Sequence, residues 1–168
     1  PNENGEGEVL IHSRTLMLGY YEDAEATREA IDPEGWFHSG DVGYLDKDGF
    51  LYITGRTKEI IVLSSGENIS PAELEVKFYE IDGVQDCLVY DITEGNAQQL
   101  VLEILPRATV LKARGVEDLD AYFKEEVEKI NATLPAFEKI NKIVIRDSDF
   151  VRTPAMKIAR NKNGTLKK

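Results

Sequence analysis

The sequence predicts an α+β protein in two parts: a β-rich stretch over residues 1–57, then a small domain over 58–168 with helices on one side of a short sheet. Three observations carry this. Elements after residue 58 read in the order β-β-α-β-β-α-β. Two stretches there have apolar residues at helical spacing between capping signals. Before residue 58, "DVGYLDKDGFLYITGR" alternates and turns like a hairpin.

The elements follow in order. "EVLIHSRTLML" (8–18) is rich in β-formers and reads as a strand with an extended run behind it. "DAEATREAI" (23–31) suits a short helix with Asp23 as N-cap. Strands at 42–45 and 50–54 flank Asp46-Lys47-Asp48-Gly49, whose Gly49 supplies the positive φ of a tight turn. That turn opens like a calcium loop but lacks the later ligands, so it reads as a hairpin. "EIIVLSSGENIS" reads as a strand, a Ser-Ser-Gly loop and a short extended piece. In "SPAELEVKFYEIDG", Ser70 is the expected N-cap, Pro71 suits the first helical position and Glu73 completes a capping box. Leu74, Phe78 and Ile81 share one face, and Gly83 is the expected C-cap. "VQDCLVYDI" and "QQLVLEILP" are strands around a polar turn. "EDLDAYFKEEVEKINATL" puts Leu119, Tyr122, Phe123, Val127, Ile130 and Leu134 on a helical stripe. "INKIVIRD" is a strand, and the tail "FVRTPAMKIARNKNGTLKK" reads as irregular and basic.

Composition narrows the function. The chain has 168 residues, 42% of them hydrophobic and 30% charged. That is the balance of a protein able to bury a core. Its net charge is -11. This argues against a nucleic-acid partner, since phosphate binding needs a surplus of Lys and Arg. The single cysteine, Cys87, has no internal partner. Its apolar run makes it a buried, inert thiol. No apolar run has the length of a membrane span, and the chain reads as cytoplasmic. It starts in a polar turn that leads straight into a strand, without an initiator Met, and reads as a piece of something longer.

Several residues suit chemistry. Asp41, after Gly40, offers a carboxylate that can accept two hydroxyl bonds, as from a ribose diol; taken alone, a surface turn Asp is the commoner reading. Arg56, after Gly55, presents a fork suited to phosphate or carboxylate, or to a surface ion pair. Lys157, in "TPAMKIAR", is a movable point charge for developing negative charge, or a solvated lysine. Ser64-Ser65-Gly66 lets a backbone pass close to a ligand. His12 and His38 lie in no metal spacing and beside no nucleophile, and His38 reads as a turn residue. No metal-binding residues are read.

Taken in order, "GEGEVLIHSRTLMLGYY", "GWFHSGDVGYLDKDGFLYITGRTKEIIVLSSGENISPAELE", "TLPAFEKINKIVI" and "TPAMKIAR" resemble the C-terminal part of the adenylate-forming enzymes. These are acyl-CoA synthetases, adenylation domains of peptide synthetases, and luciferases. "GRTKEIIVLSSGENISPAELE" and the Thr-Pro-x-x-Lys-x-x-Arg ending resemble the long-chain fatty acyl-CoA synthetase branch. Met156 departs from a glycine common before the late lysine. The resemblance implies that residues 1–57 end a large N-terminal adenylation domain and 58–168 form the C-terminal lid domain. It implies ATP, Mg2+ and CoA as substrates or cofactor, a fatty acid as the acid, and acyl-adenylate as the intermediate. Asp41 would hold the ribose hydroxyls, Arg56 the ribose and phosphate region, and Lys58 would be the hinge. Lys157 would bridge carboxylate and nucleotide, and Ser64, Ser65 and Gly66 would line the CoA path. The family's phosphate loop, magnesium-binding glutamate and acyl pocket are not in this chain. The chain alone is therefore expected to be inactive and to depend on the missing N-terminal domain as its partner. Strands of the first part, short of their neighbours, are expected either to be partly unfolded or to pair with a second copy. Other adenylate-forming ligases (aryl or medium-chain, or carrier-protein loaders) and a non-catalytic binding module remain alternatives.

Overall fold

The structure, a computed structural model, describes residues 5–95 and 97–164. The chain divides into two compact units, Pro1–Ile60 and Ile61–Lys168.

The first unit holds β1 (Gly7–Ile11), α1 (Ala24–Ala30), β2 (Phe37–Leu45) and β3 (Leu51–Arg56), with sheet order β1-β2-β3 and antiparallel pairing throughout. Asp23 caps α1 as expected, its Oδ1 accepting from the Ala26 amide at 2.9 Å. Asp46 Oδ1 accepts from the amides of Asp48 and Phe50, and Gly49 sits at φ +84°, so the hairpin turn forms as read. Strand β2 starts at Phe37, ahead of the expected 42. His38 is therefore a strand residue facing Leu10, not a turn residue. The reason lies across the sheet: Ser39 Oγ donates to the Val9 carbonyl at 2.7 Å, and Glu8 Oε1 accepts from the Gly40 amide at 3.1 Å. Gly43 fits where a side chain would not, because a Cβ there would run into the Tyr52 carbonyl oxygen.

The second unit runs β4 (Ile61–Val62), β5 (Asn68–Ile69), α2 (Pro71–Tyr79), β6 (Val84–Glu94), β7 (Ala97–Pro106), α3 (Ala108–Ala113), α4 (Leu119–Asn131) and β8 (Lys142–Ile145). β4 and β5 form a two-stranded hairpin; β6, β7 and β8 form the main sheet, with β8 parallel to β7. The parallel pair needs a crossover, which α3 and α4 supply.

Alternation along β6 and β7 divides the core. Cys87, Val89, Leu100, Leu102 and Ile104 face Leu74 and Phe78 of α2 and Phe123 and Val127 of α4. Leu88, Tyr90, Val101 and Leu105 face the other way, onto Phe150 and Ile158. Helices cover one side of the sheet, as expected, and the basic tail covers the other. It does so by turning Arg152 and Arg160 inward onto acids of the sheet and of α2, joined by Arg146 just after β8. Arg146 Nη1 reaches Glu103 at 2.6 Å, and Arg160 Nη2 reaches Glu75 at 2.5 Å. Glu103 is wholly buried and Glu75 nearly so.

Three local expectations are corrected. Ser70 is the N-cap of α2 by position, but its side chain makes no capping bond. α2 ends on Glu80 rather than Gly83; Gly83, at φ +86°, instead turns the chain into β6. Its missing side chain leaves room for Leu111, which a Cβ would overlap. Helix α3 is absent from the sequence reading: "ATVLKA" has one buried residue, Leu111. One such position is too few for a periodic pattern. Cys87 is buried as expected, and desolvation pushes its thiol well above the ordinary range.

Candidate functional site

In the first unit, β2–β3 register brings two of the singled-out residues together. Asp41 lies opposite Arg56, and Arg56 Nε sits 2.9 Å from Asp41 Oδ1. Gly40, at φ +72°, lets the strand bend just before Asp41. Its carbonyl accepts from Thr57 Oγ1 at 2.8 Å, and Ser39 Oγ accepts from the Asp41 amide at 3.0 Å. Asp41 is thus held by bonds on both sides while its carboxylate stays partly open. Glu8, unremarked in the sequence, anchors this segment twice: one oxygen takes the Gly40 amide, the other pairs with His38 Nδ1 at 2.9 Å. The Glu8 hydrogen bond, with Asp32 behind the ring at 3.7 Å, raises the His38 pKa above its ordinary 6.5. Lys58 follows in a single 3-10 turn, Thr57–Glu59, just before the boundary between the units.

In the second unit, Ser64, Ser65 and Gly66 form the β4–β5 turn. The Leu63 amide donates to Glu67 and the Gly66 amide to Leu63, both at 2.9 Å. Gly66 adopts φ +101° with open space where a side chain would stand. The loop is tied to the main sheet by Gln98 of β7. Its Oε1 accepts from the Ser64 amide at 3.0 Å, and its Nε2 donates to the Val62 carbonyl and Asp91. A hydrogen bond from Ser65 holds Glu67 below the usual carboxylate range.

Lys157 stands at the end of a small hairpin in the tail. Arg152 bridges to Ile158, the Thr153 amide donates to the Lys157 carbonyl at 2.8 Å, and the Met156 amide donates to Thr153 at 2.9 Å. Thr153 Oγ1 also accepts from the Lys157 amide. Met156 takes φ 62°, in the left-handed region. A residue with a side chain adopts that conformation at a cost of about 1–2 kcal/mol. This is the position where the resembled family commonly carries glycine. Lys157 is exposed. Arg152 braces the turn from below: Nη2 pairs with Asp86 at 2.6 Å and Asp149 at 3.1 Å, and Nη1 donates to the Met156 carbonyl at 3.2 Å. Tyr79 donates to the same Asp86, and burial pushes its phenol up to about 12, so it stays a donor. Arg152, Asp86 and Glu75 lie beyond reading from sequence, because each owes its importance to a partner distant in the chain.

Among the described residues, no group of three or more His, Cys, Asp or Glu could hold a metal ion. No helix there is long and apolar enough to cross a membrane.

With mixed helices and small sheets, the second unit has the α+β fold of an adenylate-forming C-terminal domain. The family model described as the AMP-binding enzyme C-terminal domain matches residues 58–166, and the chain belongs to that family. Curated relatives include the long-chain-fatty-acid–CoA ligase ACSBG2 of Gallus gallus, 51% identical over 75 residues, which are 45% of this chain and 10% of the relative. The ligase ACSBG1 of Rattus norvegicus is 53% identical over 72 residues, 43% of this chain and 10% of the relative. The matched stretch thus spans about a tenth of these relatives. Among solved structures, o-succinylbenzoate CoA synthetase of Bacillus subtilis superimposes with TM-score 0.77 at 24% identity, covering 94% of this chain and 30% of that one. The fatty acyl CoA synthetase of Mycobacterium tuberculosis does so with TM-score 0.56 at 31% identity, covering 94% and 29%.

Proposed function

We propose that this chain is the C-terminal part of a long-chain fatty-acid–CoA ligase, joining a fatty acid to CoA through an acyl-adenylate with ATP converted to AMP and pyrophosphate. The observation that carries it is the roughly half identity to curated long-chain ligases, on a chain that belongs to the AMP-binding C-terminal family. Residues 1–57 close the large adenylation domain and 58–168 form its lid.

The family resemblance assigns the roles, and the geometry of each unit taken by itself supports them. Asp41 accepts the ribose hydroxyls of ATP. Arg56 is joined to Asp41 through Nε. Its side chain is largely exposed, which suits its terminal nitrogens to phosphate oxygens. Lys58, at the unit boundary, is the hinge. Lys157 sets a cation between the fatty-acid carboxylate and the nucleotide phosphate, two anions that must approach each other. The Ser64–Gly66 turn, small and exposed, leaves room for the thin pantetheine arm of CoA. Magnesium accompanies ATP in the adenylation step. The chain by itself is inactive. The ligase works in the cytoplasm, at the periphery of a membrane where long acyl chains partition. Apolar residues of β2 and β3 are exposed in the first unit, Leu45 and Ile53 among them. They favour strand exchange with a second copy of the isolated chain.

The test separates the two half-reactions in the intact ligase, over acids from acetate to oleate. Acyl-CoA output is expected to peak with long chains. Lys157→Ala is expected to slow adenylation about 100-fold or more while leaving thioester formation from supplied acyl-adenylate within severalfold. Equal losses in both steps would refute the role of Lys157. Output only from short or aromatic acids would move the chain to another ligase branch.

A further inference from the structure

We propose that Arg152 is a positioning residue for Lys157: its guanidinium, seated on Asp86 and Asp149, grips the Met156 carbonyl and so sets where the neighbouring ammonium stands. The inference rests on the reading of Lys157 as the adenylation cation and adds the residue through which the fold controls it.

The turn at 153–157 cannot define itself. It is a short hairpin closed by one bridge pair, Arg152 and Ile158. An isolated hairpin is marginal in water. Its tip residue Met156 is held left-handed, against the preference of a side chain, and the tip lies exposed. Bonds within the turn fix its local shape: Thr153 holds the Lys157 amide and carbonyl. They do not fix the turn's place against the sheet.

Docking of the tail as a whole is already supplied elsewhere. Asn163 takes the Val151 amide and donates to the carbonyls of Val151 and Ala159, and Arg160 pairs with Glu75 and donates to Val89. Phe150 and Ile158 pack onto the sheet. These anchors lie on either side of the tip. Arg152 is different, because one rigid fork spans from a sheet acid to the tip. Asp86 sits on β6 and is itself steadied by Tyr79 of α2, so the chain of bonds runs Tyr79, Asp86, Arg152, Met156. A planar guanidinium bound at both ends transmits position, whereas a lysine ammonium would reach one end or the other. The Met156 carbonyl belongs to the peptide that precedes Lys157, so its orientation fixes where the Lys157 side chain departs.

The experiment uses the intact ligase and reads two things: hydrogen exchange of the peptide covering 153–158, and the two half-reactions. Arg152→Leu is expected to speed exchange in that peptide about tenfold while β6 and β7 stay protected. It is also expected to lower the adenylation kcat about 100-fold, with KM for ATP within about twofold and thioester formation unchanged. Arg152→Lys, with the charge but not the fork, is expected to recover only part of the rate. Asp86→Asn, which keeps the shape, is expected to show the same pattern more weakly, and it decides the matter if Arg152→Leu does not fold. Unchanged exchange at 153–158, or equal loss in both half-reactions, overturns the proposal. With Lys157→Ala inactive in adenylation and the Arg152 variants unaltered, only this inference is lost. With Lys157→Ala fully active, the reading of Lys157 is lost, and exchange alone then says whether Arg152 holds the turn.

Discussion

The two units place their singled-out residues by opposite means. In the first, Gly43 is the only buried residue among those described, and Leu45, Tyr52 and Ile53 lie open. Asp41 and Arg56 meet there because antiparallel register puts them opposite, not because a core presses them together. In the second, Phe78, Phe123 and the inner faces of β6 and β7 are wholly or almost wholly buried, and Lys157 rides on a tail held to that unit by partly buried ion pairs, Arg152 to Asp86 and Arg160 to Glu75. Register is specified by local turn chemistry, while a core is specified by volume. The two units should therefore fail under different substitutions.

The largest expected effect is in the second unit. Phe123→Ala removes a side chain with no exposure, packed in the core with the sheet and α2. It should lower stability by about 3–5 kcal/mol. In the first unit, Tyr52 stacks across the strands on Tyr44, with ring centroids 5.3 Å apart. Tyr52→Ala removes that contact from a half-exposed side chain and should cost about 1 kcal/mol or less. Urea unfolding of both variants measures the gap. Equal losses would erase the contrast.

The next effect reverses the ranking. Gly43→Ala adds a single methyl, yet its Cβ would fall on a backbone oxygen that cannot swing away. The strands must part at the Val42/Gly43 irregularity, one step from the Asp41–Arg56 pair. A loss of about 1–3 kcal/mol is expected, with faster amide exchange through β2 and β3. Protection retained there would show that register does not depend on this glycine.

The same contrast explains what can be read from the amino-acid order. The hairpin at Asp46–Gly49, the cap at Asp23 and the stripes of Leu74, Phe78, Phe123 and Val127 are local or periodic, and so they are legible. Asp41, Arg56 and Lys157 stand out by residue type, and a motif order makes them specific. What stays hidden is non-local. Glu8 looks like any strand acid until β1 lies beside β2, and Arg152 looks like tail charge until Asp86 is folded beneath it. The basic tail reads as solvated because sequence shows its charge but not the buried acids that receive it. The Ser70 cap fails for a related reason: the right residue type stands at the N-cap position, and its side chain is still not used as a cap.

The smallest expected effect is electrostatic and sits in the first unit. His38 gains partners on folding, Glu8 chiefly and Asp32 behind it, and its pKa rises above 6.5. A raised pKa means that the protonated ring is favoured in the folded state. Its contribution is complete below the ordinary value and fades as pH rises through the folded value. An NMR titration should place the His38 midpoint above 6.5 and move it down in Glu8→Gln, with a lesser shift in Asp32→Asn, whose oxygen is farther away. A midpoint at or below the ordinary value would remove the pair. The consequence for Asp41 should nevertheless be slight. The Gly40 amide is held by the Glu8 oxygen that does not face His38. The bond that bears on Asp41 thus survives the titration, whereas Glu8→Ala would remove both bonds at every pH.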